Sequence, residues 1–280
     1  MALIEGLFAV MVCIVCWGSY LIPVRRHNEL SPFSLQLMMG MGIFLSSLVF
    51  ALLTHTIHFS LLAIISGALW AIGNIISVFA IRRAGIARAY PLWGATSIPA
   101  AFIGGLLFGE TLHLFWLAIV GIIIQFIGVR FITKTMPTSK EKSWKGIALS
   151  LLAGLFFGVY LYPFKMTSLS PIEFLFPMSI GVGVTTLLIY LLQRDSLTYS
   201  TIIPGIGAGV LWNIANFASF FAVQQIGLAL TTPLTALSLL VTVSWGLFYF
   251  KEITKSTMIK LLITGSLLLL IGGTMIVSSL

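Results

Sequence analysis

The chain has 280 residues, of which 59% are hydrophobic and 8% charged, and its mean hydropathy is +1.11. A soluble domain carries roughly 25% charged residues to wet its surface, so this composition excludes a water-soluble fold and describes a multispanning membrane protein. The formal charge of +8 does not point to nucleic acid, because the fifteen Lys and Arg fall mostly between apolar runs, where they anchor and orient helices.

A bilayer core of about 30 Å takes about 20 apolar residues as helix. Ten segments meet that requirement: 4–24, 32–53, 60–81, 86–107, 112–133, 146–165, 171–192, 200–223, 226–249 and 257–278. The first starts almost at Met1 without a basic stretch before it and is followed by Arg25 and Arg26, so it reads as a retained helix and not a cleaved signal. Cys13 and Cys16 form a C-x-x-C inside it. A reactive thiol needs exposed, electropositive surroundings, so packing is the expected role. The second span opens on Ser31-Pro32. The third holds Trp70 and Asn74, and a short turn with Arg82, Arg83 and Arg88 leads to the fourth, which contains Tyr90, Pro91, Trp93 and Pro99. After the fifth span comes the one long polar link, "TKTMPTSKEKSWK". It divides the chain into a five-helix unit (1–133), a linker (134–145) and a second five-helix unit (146–280).

The second unit repeats the first. "GALWAIGNIISVFAIRRAGIARAYPLWG" returns 142 residues later as "GVLWNIANFASFFAVQQIGLALTTPLTA". The offset pairs Trp70 with Trp212, Asn74 with Asn216, Gly85 with Gly227, Pro91 with Pro233 and Glu110 with Glu252, and about a third of the positions from Gly67 to Glu110 are identical without a gap. With small shifts, "WGSYLIPVRR" matches "GVYLYPFK", pairing Tyr20 with Tyr160 and Pro23 with Pro163. Gly121 and Gly128 echo Gly265 and Gly272. Five helices per unit make the second copy enter the membrane from the opposite side. The predicted fold is therefore an all-α polytopic protein of ten transmembrane helices in two inverted five-helix repeats, the usual construction of secondary transporters. With a cytoplasmic N-terminus, nine basic residues are assigned inside (Arg130, Lys134, Lys140, Lys142, Lys145, Arg194, Lys251, Lys255, Lys260) and six outside (Arg25, Arg26, Arg82, Arg83, Arg88, Lys165). Both termini and the central linker are accordingly expected in the cytoplasm.

Ten helices in two halves, with "GETL…G…G" and "KEIT…G…G" at corresponding places, resemble the drug/metabolite transporter superfamily (EamA-like) over nearly the whole chain. "SGALWAIGN" followed by "GIARAYPL" is similar to the bacterial glucose/ribose uptake porters. That resemblance implies a sugar as the solute and allows protons as the coupling ion.

Trp70 and Trp212 lie near mid-span, whereas an interfacial belt would put tryptophan at helix ends. Asn74 and Asn216 follow at i+4 on the same face, with Asn213 adjacent. A ring that covers the C–H face of a sugar, beside an amide that bonds its hydroxyls, makes a good sugar surface. The competing reading is interhelical glue, in which asparagine bonds a neighbouring helix and tryptophan fills space. Tyr20, Tyr90 and Trp93 are candidates for the vestibule, and Trp116 and Trp144 for the interfacial belt. Arg88 is the candidate for an anionic solute. Pro91, Pro99 and Pro233 are candidate hinges, because proline frees a backbone carbonyl; helix initiation is the alternative.

All seven acids lie at helix ends or in loops. A carboxylate in mid-membrane would be the default cation or proton site, so exchange of lipophilic cations is disfavoured. Glu110 and Glu252 are expected to cap the fifth and tenth helices, and Glu5 and Glu173 are the acids placed to carry protons. The four histidines are too dispersed for a metal site. No nucleophile–base pair or nucleotide motif is present, so neither an enzyme nor a cofactor is expected. The leading expectation is alternating-access transport of a small neutral polar solute, most naturally a sugar of the glucose or ribose type, by a monomer or homodimer in the cell membrane. The alternatives are a sugar-phosphate or nucleotide-sugar exchanger, an amino-acid or drug exporter, and a non-transporting scaffold.

Overall fold

The computed structural model describes residues 2–23, 31–84, 86–135, 143–193, 197, 199–250 and 256–279, without the side chains of 86–88, 199 and 201. Among them all regular structure is helical: α1 (Ala2–Ser19), α2 (Pro32–Thr54), α3 (Leu61–Ala84), α4 (Ile86–Leu107), α5 (Phe115–Thr133), α6 (Trp144–Val159), α7 (Tyr162–Lys165), α8 (Pro171–Gln193), α9 (Tyr199–Ile226), α10 (Leu228–Thr235), α11 (Ser238–Ser244) and α12 (Ser256–Val277). A π turn, Trp245–Tyr249, continues α11. The predicted spans are all present, the sixth made of α6 and α7 and the ninth of α10, α11 and the π turn. Nine described segments are long and apolar enough to cross a membrane, and α4 runs between them.

Three helices begin where a side chain satisfies free backbone N–H groups. Ser31 accepts from the N–H of Phe33 and Pro32 follows it; Ser143 accepts from Gly146. Ser170 and Glu173 form a reciprocal capping box on α8, the carboxylate accepting from the Ser170 N–H at 2.8 Å. α4 passes through Pro91 and Pro99 without a break, whereas Pro233 precedes the interruption between α10 and α11. Of the three hinge candidates, Pro233 is the one beside an actual break.

Glycine decides the closest packing. On α5 and α12, a Cβ on Gly121 would lie 2.7 Å from the Gly272 carbonyl oxygen, and one on Gly128 2.7 Å from that of Gly265. Such backbone approach replaces the hydrophobic drive that lipid removes. On α3 and α8, Gly67 lies against the Met178 carbonyl and Gly181 against that of Ile64. α9 packs against α1 and α2, α3 against α6 and α8, and α4 against α6 and α10.

Two expectations need correction. Glu110 does not cap α5, whose N-cap is Leu114 without a side-chain bond. Its carboxylate turns back at Gly109 (φ 83°) and accepts from the N–H groups of Leu228 and Ala229 at 2.7 and 2.8 Å, with Lys165 at 2.9 Å. It caps α10, in the other half of the chain. Glu252 lies outside the described residues.

The second correction concerns sidedness. Gly6 near the start of α1 abuts Gln225 and Ile226, Leu114 donates to Ser279, His58 meets Glu173 at 3.4 Å, and Glu110 meets Lys165. These contacts gather the start of α1, the end of α12 and the connections after α2, α4, α7 and α9 on one face. Gly146, at the start of α6, lies instead against Arg83 and Ala84 at the end of α3. The end of α5 and the start of α6, which flank the linker, are therefore on the face opposite the start of α1 and the end of α12, and the end of α3 with Arg82 and Arg83 is on their side. Five spans are an odd number, so no arrangement puts termini and linker together.

Candidate functional site

Trp70 on α3 and Trp212 on α9 meet at the centre of the bundle, their ring centroids 3.9 Å apart and each only 4% exposed. The expected cavity between them is not open: the rings are in direct contact. Helical spacing puts an asparagine one turn beyond each, but α3 and α9 approach from opposite faces, so the two amides lie on opposite sides of the ring pair.

On the linker side, Asn74 is half-buried and donates to Gln36 Oε1, while Gln36 Nε2 donates to the Ala71 carbonyl at 3.2 Å. Tyr90 meets Trp93 with its ring tilted, the centroids 4.8 Å apart, and Trp93 is edge-on to Phe157 at 6.1 Å. Tyr20, Tyr90 and Trp93 are half-buried, as vestibule residues would be. The Arg88 side chain is outside the described residues.

On the terminal side, Asn216 is fully buried. Its Oδ1 accepts from the Tyr160 hydroxyl at 3.3 Å and its Nδ2 donates to Met178 Sδ at 3.2 Å. Asn213 donates to Ser46 and Ser47, both at 2.9 Å, on α2. Its Oδ1, like the indole N–H of Trp17, is buried with no hydrogen-bond partner among the described residues. Each asparagine thus makes the contacts of the glue reading, yet unused donors and acceptors remain beside the rings. Buried polar atoms without partners are uncommon and costly.

Glu5 is exposed in the first turn of α1. Glu173 is held in its capping box with His58 beside it, in the first turn of α8 and away from the tryptophans. Both acids are at the terminal face. Gln36, Ser46, Ser47, Tyr160, Met178 and Trp17 were not singled out as site residues. Tyr160 had a visible signal, its register with Tyr20; the α2 partners had none, because they fall outside the strong repeat.

The family model described as sugar transport protein matches residues 7–278. The chain belongs to the sugar transport protein family. It is a multi-pass membrane transporter, not an enzyme. Among relatives of this family member, a protein of Lactiplantibacillus plantarum named "Putative sugar uptake protein" is 25% identical, covering 96% of this chain and 97% of its own. A Listeria monocytogenes protein with that description is 22% identical over 91% of this chain and 93% of its own. "Transmembrane protein 144 homolog A" of Dictyostelium discoideum is also 22% identical, over 97% and 96%. A crystal structure of another protein superposes with a TM-score of 0.78 over 96% of this chain and 95% of the other at 14% identity, a likeness of fold alone.

Proposed function

We propose that this sugar transport family member carries a small neutral sugar, of the glucose or ribose type, by alternating access about the Trp70–Trp212 pair. The observation that carries the reading is that pair at the bundle centre, flanked by Asn74, Asn213 and Asn216, with the Asn213 Oδ1 buried and without a hydrogen-bond partner among the described residues. An indole face suits the apolar side of a sugar ring and amides suit its hydroxyls. The rings must part to admit the solute, so the described state is one with a closed centre.

The two halves act in this reading as inverted repeats, with 134–145 as their linker. The packing supports it: exchanging the halves turns α1 on α9 into α6 on α3, and α2 on α9 into α8 on α3, both of which occur. Wider kinship with the drug/metabolite transporters belongs to the same proposal, as do the cell membrane as location, a proton as optional coupling ion, and a monomer or homodimer as the working unit.

The face that carries the linker is, in this reading, cytoplasmic, and both termini are outside. Of the fifteen basic residues only Lys165 belongs to the terminal face; Arg25, Arg26, Arg82, Arg83, Arg88, Arg130, Lys134, Lys140, Lys142, Lys145, Arg194, Lys251, Lys255 and Lys260 follow the odd-numbered spans or flank their ends. So uneven a distribution of Lys and Arg marks the cytoplasmic side.

Purified protein in liposomes should take up labelled glucose or ribose faster than empty liposomes do, with unlabelled sugar competing. A pH gradient that accelerates uptake would establish proton coupling. Uptake of a sugar phosphate without uptake of neutral sugars would replace this reading by the anion exchanger.

A further inference from the structure

The two sides of the tryptophan pair are in different states. On the terminal side Tyr160, the C-cap of α6, is 5% exposed and donates to buried Asn216. Ser66 on α3 fixes its backbone by donating to the Tyr160 carbonyl at 2.5 Å. Beyond it Phe164, Phe174 and Phe220 form a closed trio with centroids 4.9 to 5.1 Å apart. This side is shut. On the linker side Asn74 is half-buried and bound to Gln36, and Tyr20, just past the end of α1, is half-buried and makes no hydrogen bond to it. Yet Tyr20 stands to Asn74 in sequence as Tyr160 stands to Asn216, both pairs coming from the same repeat.

From this difference we infer that Tyr160 and Tyr20 are the two gates of the transport cycle, each closing its side by donating its hydroxyl to the asparagine of the parallel helix in its own half. In the described state Tyr160–Asn216 is made and Tyr20–Asn74 is broken. When Tyr20 swings onto the Asn74 Oδ1, Tyr160 releases Asn216 to open the terminal side. Each bond stabilises one state only, so removing it shifts the population toward the other. The inference rests on the inverted-repeat reading but not on the solute being a sugar.

The test uses one reporter, Ser219→Cys, in a chain with Cys13→Ala and Cys16→Ala. Ser219 is 1% exposed, one turn beyond Asn216 on the shut side. A membrane-impermeant methanethiosulfonate is applied to the terminal face, its rate of reaction reading the population open there. Tyr160→Phe should raise that rate about fivefold, the worth of a neutral hydrogen bond, and Tyr20→Phe should lower it by a similar factor. Complete reaction in SDS and a symmetric elution profile exclude misfolding. Shifts in the same direction, or none in either folded variant, overturn the gates. Sugar uptake is followed in parallel: uptake without opposed shifts removes the gates alone, and opposed shifts without uptake keep the gates and remove the sugar.

Discussion

In sealed cells, a membrane-impermeant maleimide will label Phe59→Cys and will leave Lys145→Cys unmodified until the membrane is opened. Both are placed in the background free of Cys13 and Cys16. Phe59, in the connection between α2 and α3, is 80% exposed, and Lys145, in the first turn of α6, is exposed as well. They lie on opposite faces, because the α2–α3 connection shares its face with the start of α8 through His58 and Glu173, whereas α6 starts beside Arg83. A basic residue near an anionic leaflet is worth about 1 kcal/mol, so the imbalance between the faces is far larger than any single substitution can undo. Labelling of Lys145→Cys alone would invert the orientation. Labelling of both in every cell would mean that the chain inserts both ways.

The second large effect is expected at Gly67. Alanine there drives a methyl group into the Met178 carbonyl on α8, and alanine at Gly181 does the same to Ile64 on α3. The obstructing atoms are backbone, so the helices must separate as bodies. Overpacking of this kind costs about 1–3 kcal/mol, and separation also pulls Met178 from Asn216. Gly67→Ala and Gly181→Ala should each lower the melting temperature of the detergent-solubilised protein by several degrees. Together they should cost less than their sum, because one interface has already yielded. Gly207→Ala, with no atom near its added methyl, is the control and should melt like the wild type. Melting temperatures indistinguishable from that control would mean α3 and α8 are not in backbone contact.

Much of this fold was legible because membrane spans are written in composition: length and apolar runs set ten helices, and a 142-residue repeat brought Trp70 opposite Trp212. Trp116 and Trp144, expected in an interfacial belt, are 76% and 81% exposed near helix starts. What failed was contact across the chain. Glu110 looked like the cap of the helix that follows it, because sequence shows only local neighbours, and its real partner lies 118 positions away at Leu228. Sidedness was misjudged from charge counts taken without the parity of five spans. The partners on α2 were illegible because Gln36, Ser46 and Ser47 carry no repeat, and an isolated polar residue in an apolar run does not announce which helix it meets. The Tyr160–Asn216 bond was half-visible, in the register of Tyr160 with Tyr20.

The central claim is that the tryptophan–asparagine centre binds the solute and does not merely hold helices together. The most direct measurement is the sugar-induced rise in melting temperature of Asn74→Ala beside wild type, with glucose and ribose titrated against each. Asn74 suits it because this amide is half-buried, whereas Asn216 is fully buried. Losing a hydrogen bond to a neutral hydroxyl costs on the order of 1 kcal/mol, more when a buried partner is stranded, so the sugar concentration for half-maximal shift should rise roughly tenfold, while the protein without sugar stays folded. If Asn74→Ala melts earlier but responds to sugar at the wild-type concentration, the asparagine is glue and the solute binds elsewhere.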